Sequence, residues 1–308
     1  MRPRDPARMR QAGAPRTRLL PEPTSVSRPS DDWTLVIRPR SRWWDLRVSE
    51  LWAARELILL FVWRDFVSLY KQTILGPLWY VVQPLLTTVV FTVIFGRLAQ
   101  LSTDAVPQPV FYMAGTILWA YFSTCLTKTS TTFITNAVVF GKVYFPRLAV
   151  PISVVISNMI GFGIQLGMFL AFLVYYLVVG SAVQPTWYAF LLPVLVVMMA
   201  LQAIGFGNVV SALTTRYRDL QYLVAFGTQL AMYCTPIVYP LSSVHGKFRW
   251  LVIANPMTAV VETFRLGFLG AGTFSLPMLA YSAAFSVLIA VAGAVMFNRV
   301  ERTFIDTV

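Results

Sequence analysis

Charge is what this chain has least of. Asp, Glu, Lys and Arg make up 12% of its 308 residues, against about 25% in a soluble domain. Hydrophobic residues supply 57%, so the composition is that of a protein crossing a membrane several times. Histidine and cysteine are almost absent. His245 is the single histidine and has no cysteine or carboxylate pair nearby, so it reads as a loop residue. Cys125 and Cys234 both fall in apolar runs, where a small buried hydrophobe is the usual role. No metal-ligand spacing results. There is no G-x-x-x-x-G-K-S/T, so the chain cannot itself hold a nucleotide. No paired carboxylates and no nucleophile beside a base point to an enzyme, so no catalytic residue is assigned. No repeat relates the two halves, which leaves an inverted-repeat transporter without support.

What is present is organised around Trp63–Leu98. Arg64, Asp65 and Lys71 open that stretch, and a Gly76-Pro77 step follows. The run from Pro77 to Gly96 then contains no Asp, Glu, Lys, Arg or His. Twenty such residues are what an α-helix needs to cross about 30 Å of hydrocarbon. Five more crossings are expected at about 110–127, 148–179, 187–213, 220–239 and 275–297. Asp219 is placed to N-cap the fifth, and Pro236 and Pro240 to end it. Their apolar cores carry no ionisable acid or base, and something must bind the ion in an ion-coupled carrier, which counts against one.

Between these runs lie other elements. Residues 1–42 are rich in Arg, Pro and Ser and read as a disordered basic tail without the apolar region of a secretory signal. Residues 43–308 form the membrane domain. Val48, Leu51, Trp52, Leu59 and Val62 recur at helical spacing behind Asp45, with Trp43, Trp44, Trp52 and Trp63 as interfacial rings. A helix over 45–62 lying in the interface plane follows. In 241–274, Asn255-Pro256 is a cap with proline at the first helical position. Met257, Val260, Val261, Phe264 and Phe268 then give one apolar face that ends at Gly270.

Six crossings put both termini on one side. Twenty-one of the 25 Lys and Arg fall on that side, and four (Arg97, Lys247, Arg249 and Arg265) on the other. Both termini are therefore expected in the cytoplasm. The same distribution, basic residues in short loops, argues against nucleic acid as the partner of a chain whose net charge is +12.

Two candidate sites emerge. Trp79, Tyr80, Gln83, Tyr112 and Trp119 lie in the first two crossings. Aromatic faces pack on the C–H faces of sugar rings while amides and hydroxyls bond their edges, so these residues can form a sliding track for a glycan. Packing and lipid-facing belts are the other reading, and both stay open here. The loop 128–147 carries Phe133, Phe140 and Phe145, rimmed by Lys128, Lys142 and Arg147. An apolar patch rimmed by charge is expected to dock a partner rather than fold back on its own chain.

Several segments resemble one family. They are Glu50-Leu51-Trp52, Arg55-Glu56-Leu57, Trp63-Arg64-Asp65, Tyr70-Lys71-Gln72-Thr73, Leu75-Gly76 and Gln83-Pro84. Further on come Lys142-Val143-Tyr144-Phe145-Pro146-Arg147, Arg216-Tyr217-Arg218-Asp219-Leu220 and Asn255-Pro256-Met257. In order and spacing, over about residues 44–302, these resemble the ABC-2-type permeases that export cell-surface polysaccharide. The resemblance implies an all-α membrane protein with six transmembrane helices, an N-terminal amphipathic interface helix and short re-entrant helices between the fifth and sixth spans. It implies a homodimer in the bacterial cytoplasmic (inner) membrane, among membrane lipids, paired with two copies of a separate ATPase subunit. That subunit would bind ATP and Mg; this chain needs no cofactor and no metal. The implied substrate is a long glycan on undecaprenyl diphosphate, such as lipopolysaccharide O-antigen or wall teichoic acid, with a small hydrophobic drug or lipid as the alternative. By the same resemblance Phe140, Lys142, Tyr144, Arg147, Arg216, Arg218 and Asp219 would couple to the ATPase. Asn255, Pro256, Glu262 and Arg265 would belong to an outer gate. Arg64 and Lys71 are placed to meet the carrier diphosphate, or serve as ordinary positive-inside anchors.

Overall fold

A computed structural model describes residues 48–71, 76–142, 145–215, 217 and 219–304. The tail 1–42, the tryptophans Trp43 and Trp44, the proposed cap Asp45, and Tyr144, Arg216 and Arg218 lie outside the described residues. Every regular element among the described residues is helical.

The chain begins with α1 (Val48–Ala53) and α2 (Arg55–Lys71), joined without a break in hydrogen bonding: Ala54 N–H reaches Glu50 O at 2.9 Å and Ile58 N–H reaches Ala54 O at 3.0 Å. The helix runs nine residues beyond the expected end at Val62, because Trp63 to Lys71 holds neither glycine nor proline. The turn comes at Gly76, whose φ of 45° suits glycine, followed by Pro77.

Among the described residues, five helical stretches are long and apolar enough to cross a membrane: Gly76–Leu98, Gln108–Ser130, Ala149–Val178, Trp187–Thr214 and Leu276–Val300. The first comprises a 3-10 turn (Gly76–Leu78), α3 (Trp79–Phe91) and a π-helical segment, Thr92–Leu98. There the bonds lengthen to Ala99 N–H to Ile94 O, 2.8 Å. The others are α4 (Gln108–Ser130), α7 (Ala149–Val178), α8 (Leu192–Thr214) and α12 (Leu276–Phe304), with a 3-10 turn at Trp187–Leu191 leading into α8. Between α4 and α7 sit two single turns, α5 (Thr132–Thr135) and α6 (Ala137–Phe140).

The fifth expected crossing is α9 (Leu220–Cys234), 15 residues. At about 1.5 Å per residue it reaches about 22 Å, short of the hydrocarbon thickness of about 30 Å. It stops before the prolines that were expected to end it, because Thr235 turns extended (ψ 141°) and the chain enters Pro236. Asp219 stands at the N-cap position but makes no side-chain cap bond. Cys234, expected to be buried like Cys125, is exposed.

Two short helices follow, α10 (Lys247–Ala254) and α11 (Pro256–Leu269). The local signals of α11 act as the sequence suggests. Met257 N–H donates to Asn255 Oδ1 at 3.0 Å, Pro256 takes the first position, and Gly270 closes the helix at φ 73°.

Packing centres on α4, of which 78% is buried over its most apolar window, against 17% for the first crossing. α8 and α12 meet through glycines: Gly293 lies against the Gly205 backbone, and a Cβ on Gly205 would come within 2.6 Å of the Ile289 carbonyl carbon. Small residues permit this approach between membrane helices. Gln202 on α8 ties the same seam by donating to Ser286 Oγ at 2.9 Å.

Candidate functional site

At one end of the bundle, α11 is surrounded by its own chain. Gly267 abuts the Ala189 backbone, Thr186 N–H donates to Gly267 O at 2.8 Å, and Thr186 Oγ1 donates to Leu266 O at 2.8 Å. Inside this end sits a buried ion pair. Arg265 and Glu262 are one helical turn apart, 3.8 Å between Nη1 and Oε1, and their side chains are 1% exposed. Arg265 donates to Pro236 O and Ile237 O, each at 2.6 Å, and its guanidinium lies 3.7 Å from the centre of the Phe111 ring. Glu262 accepts from Thr273 N–H at 2.9 Å and from Leu241 N–H at 3.4 Å. One pair thus ties α11 to the strand-like exit from α9, to α4 and to the linker before α12. Burial lowers the Arg265 pKa to about 10 and the Glu262 charge opposes that shift, so the guanidinium stays charged at neutral pH.

The neighbouring loop after the first crossing is strained. Gln100, Asp104 and Ala105 all have positive φ (50°, 49° and 64°), unusual for residues with a Cβ. Asp104 accepts from Ser242 Oγ at 2.8 Å, which bonds this loop to the segment between α9 and α10. The sequence shows Glu262 and Arg265 one turn apart and groups them in the gate, but it marks neither their distant partners nor the Asp104–Ser242 bond.

The five aromatic and amide candidates divide. Tyr112 is fully buried, edge-on to Phe111 at 5.6 Å and Phe91 at 6.3 Å. Trp119 is also buried, 5.3 Å from Phe122, and borders a cavity of about 540 Å³. Trp79 is 50% exposed, Gln83 is exposed, and Tyr80 lies half-buried against Gly161 of α7. A second exposed stripe appears on α9, where Tyr222, Phe226, Leu230 and Tyr233 share one face. Tyr222 and Phe226 escape a reading that looks for polar aromatics in long spans, although their spacing of four was visible.

At the opposite end, the loop expected to dock a partner instead closes on its own chain. Phe133 stacks on Phe297 of α12 at 4.3 Å, and Phe145 meets Phe61 of α2 at 5.6 Å and Phe140 at 5.7 Å. The hydrophobic gain of three buried rings outweighs presenting them to a partner. Arg147 is buried with them, 5.1 Å from the centre of the Phe140 ring, while Lys142 and Asp219 remain exposed and Val138 is 70% exposed. Arg64 is bound to Asp65 through two bonds of 2.8 and 2.9 Å and covers the Phe61 ring at 4.9 Å. Lys71, at the end of α2, is exposed. Among the described residues no group of three His, Cys, Asp or Glu is placed to hold a metal ion.

The crossing helices, the closely held α11 and the exposed aromatic faces are those of a protein that spans a membrane several times. A family model described as "ABC-2 type transporter" matches residues 56–269, and the chain belongs to that family. Among its relatives is an "O-antigen export system permease protein RfbA" of Klebsiella pneumoniae, 27% identical over 252 residues, covering 82% of this chain and 94% of the relative. A protein of the same name from Myxococcus xanthus is 28% identical over 266 residues, covering 85% and 98%.

Proposed function

We propose that this chain is the permease subunit of an exporter that carries a cell-surface glycan of the O-antigen type, linked to undecaprenyl diphosphate, across the bacterial cytoplasmic membrane. The observation that carries this is the near full-length similarity to two permeases named for O-antigen export. It works as a homodimer with two copies of an ATPase subunit, which supplies the nucleotide chemistry that this chain has no residues for. Neither nucleic acid nor a cofactor of its own enters the cycle.

Both termini, α2 and the α5–α6 turns lie on the cytoplasmic side, where most Lys and Arg fall. α1 and α2 rest in the interface, with Trp52 on α1 and Leu59, Leu60 and Trp63 on α2 exposed. α9 is the fifth of six crossings, completed by the chain beyond Cys234, and α10 and α11 re-enter from the outer side as the gate. Asn255, Pro256, Glu262 and Arg265 build that gate by fixing α11. The ATPase docks on exposed groups such as Lys142 and Asp219, while Phe140 and Arg147 hold the loop from behind; Tyr144, Arg216 and Arg218, outside the described residues, are assigned to the same coupling by the resemblance alone.

The glycan passes between two copies. The residues proposed to line that passage are those left exposed on one protomer, Trp79 and Gln83 on α3 and Tyr222, Phe226 and Tyr233 on α9, with half-buried Tyr80 next to Trp79 in the chain. Tyr112 and Trp119 support this wall from inside. Arg64 is neutralised by Asp65, so Lys71 is the better cation for the carrier diphosphate. An uncharged passage suits a substrate that is sugar-like along its length.

Deleting the gene tests the proposal. Surface glycan should disappear from lipopolysaccharide gels while the undecaprenyl-linked polymer accumulates inside. Unchanged surface glycan in the deletion strain sinks it.

A further inference from the structure

The cavity beside Trp119 is separate from the passage between copies and has chemistry of its own. It holds about 540 Å³, within the range of about 300–1,000 Å³ typical of small-molecule sites. Its walls come from four directions: Trp119 and Phe122 on α4, Phe206 on α8, Thr228 on α9, and Leu251 on α10. Trp119 and Gln202 sit at the middle of α4 and α8 and Leu251 on α10, so the cavity runs from mid-membrane depth toward the α10–α11 end.

The wall is mostly apolar, and several of its few polar groups are occupied elsewhere. Thr228 Oγ1 donates to Val224 O at 2.7 Å within its own helix. The Asn255 amide donates to Thr235 Oγ1 at 2.8 Å, and its Oδ1 takes Met257 N–H. The Gln202 amide is committed to Ser286, while its Oε1 is buried without a partner. The polar surface left over is small beside the apolar surface, too little to bond the edges of a sugar ring.

We infer that this cavity binds a single hydrocarbon chain of a membrane lipid. At that depth hydrocarbon is the surrounding solvent, and the cavity is open to one side. The bound chain spaces α9 from α4 and α8: a Cβ added at Gly227, which lines the cavity, would meet nothing within 4 Å. Occupied, the site props up the helix that carries Tyr222, Phe226 and Tyr233. This inference rests on the membrane crossings alone and holds whatever the exporter's cargo.

The protein carries its own reporter. Cys234 is exposed and lines the cavity, whereas Cys125 is buried. The purified full-length protein in detergent is treated with N-ethylmaleimide, and modification of Cys234 is followed by mass spectrometry with and without oleyl alcohol. Oleyl alcohol at about ten times its Kd should slow modification about ten-fold. In Gly227→Phe, or in Ala231→Phe should that variant alone elute as a folded species, the added ring fills the space and oleyl alcohol should change nothing further. An unchanged rate in the wild type overturns the inference, as does equal slowing in wild type and filled variant. A Cys234 that never reacts also overturns it, because the face is then covered by a second copy.

Discussion

The first and second crossings lie side by side and solve opposite problems. α4 is 78% buried and the stretch from Gly76 to Leu98 only 17%, yet α4 is the less hydropathic of the two. In water, burial follows hydrophobicity. In a bilayer, lipid accepts the apolar helix, and the interior goes to helices whose small and polar residues bond or pack closely. α4 brings Gly115, Thr116, Thr129 and Ser130 inward, whereas α3 shows Leu86, Val89 and Val90 to its surroundings. One helix is therefore a pillar of the protomer, and the other is a surface awaiting lipid or a second copy.

Substitutions on either side of that divide should behave differently. The largest effect is expected for Arg265→Leu beside α4, which leaves Glu262 buried and three carbonyl oxygens (of Pro236, Ile237 and Tyr239) without their donor. Removing one member of such a pair costs about 3–5 kcal/mol. Thermal unfolding in detergent should show little folded protein, partly restored by adding Glu262→Gln. Normal melting of Arg265→Leu alone would mean that the α4 end is not held as described. Next comes Gly205→Val, which forces α8 from α12 and should cost about 1–3 kcal/mol by the same measurement. The smallest change in stability, within about 0.5 kcal/mol, is expected for Trp79→Ala on the exposed face, with glycan export nevertheless reduced in cells. A Trp79→Ala protein that unfolds early would erase the distinction between pillar and surface.

Local chemistry was legible. Asn255-Pro256 and Gly270 bounded α11 correctly because caps depend on residues within one turn, and five long crossings showed themselves through length and composition. What failed depended on distant partners. The direction in which Phe133, Phe140 and Phe145 point is decided by Phe61 and Phe297, far away in sequence. α9 ends at Cys234 because Thr235 precedes Pro236 and turns extended, and the sequence did not show that the carbonyls of Pro236 and Ile237 would then be gathered by Arg265. Arg265 itself looked like a loop cation by sidedness, since burial of a charge is invisible until Glu262, Phe111 and the 236–239 backbone are brought round it.

That guanidinium also constrains how the protein is made. Phe111, Pro236, Ile237, Tyr239, Leu241 and Glu262 are all synthesised before Arg265, and among the groups that complete the cluster only Thr273 comes after. A chain emerging N-terminus first thus lays down a finished socket before the charge that fills it leaves the ribosome. Biogenesis can proceed in order of translation, with no cation stranded in oil while it waits for a later segment.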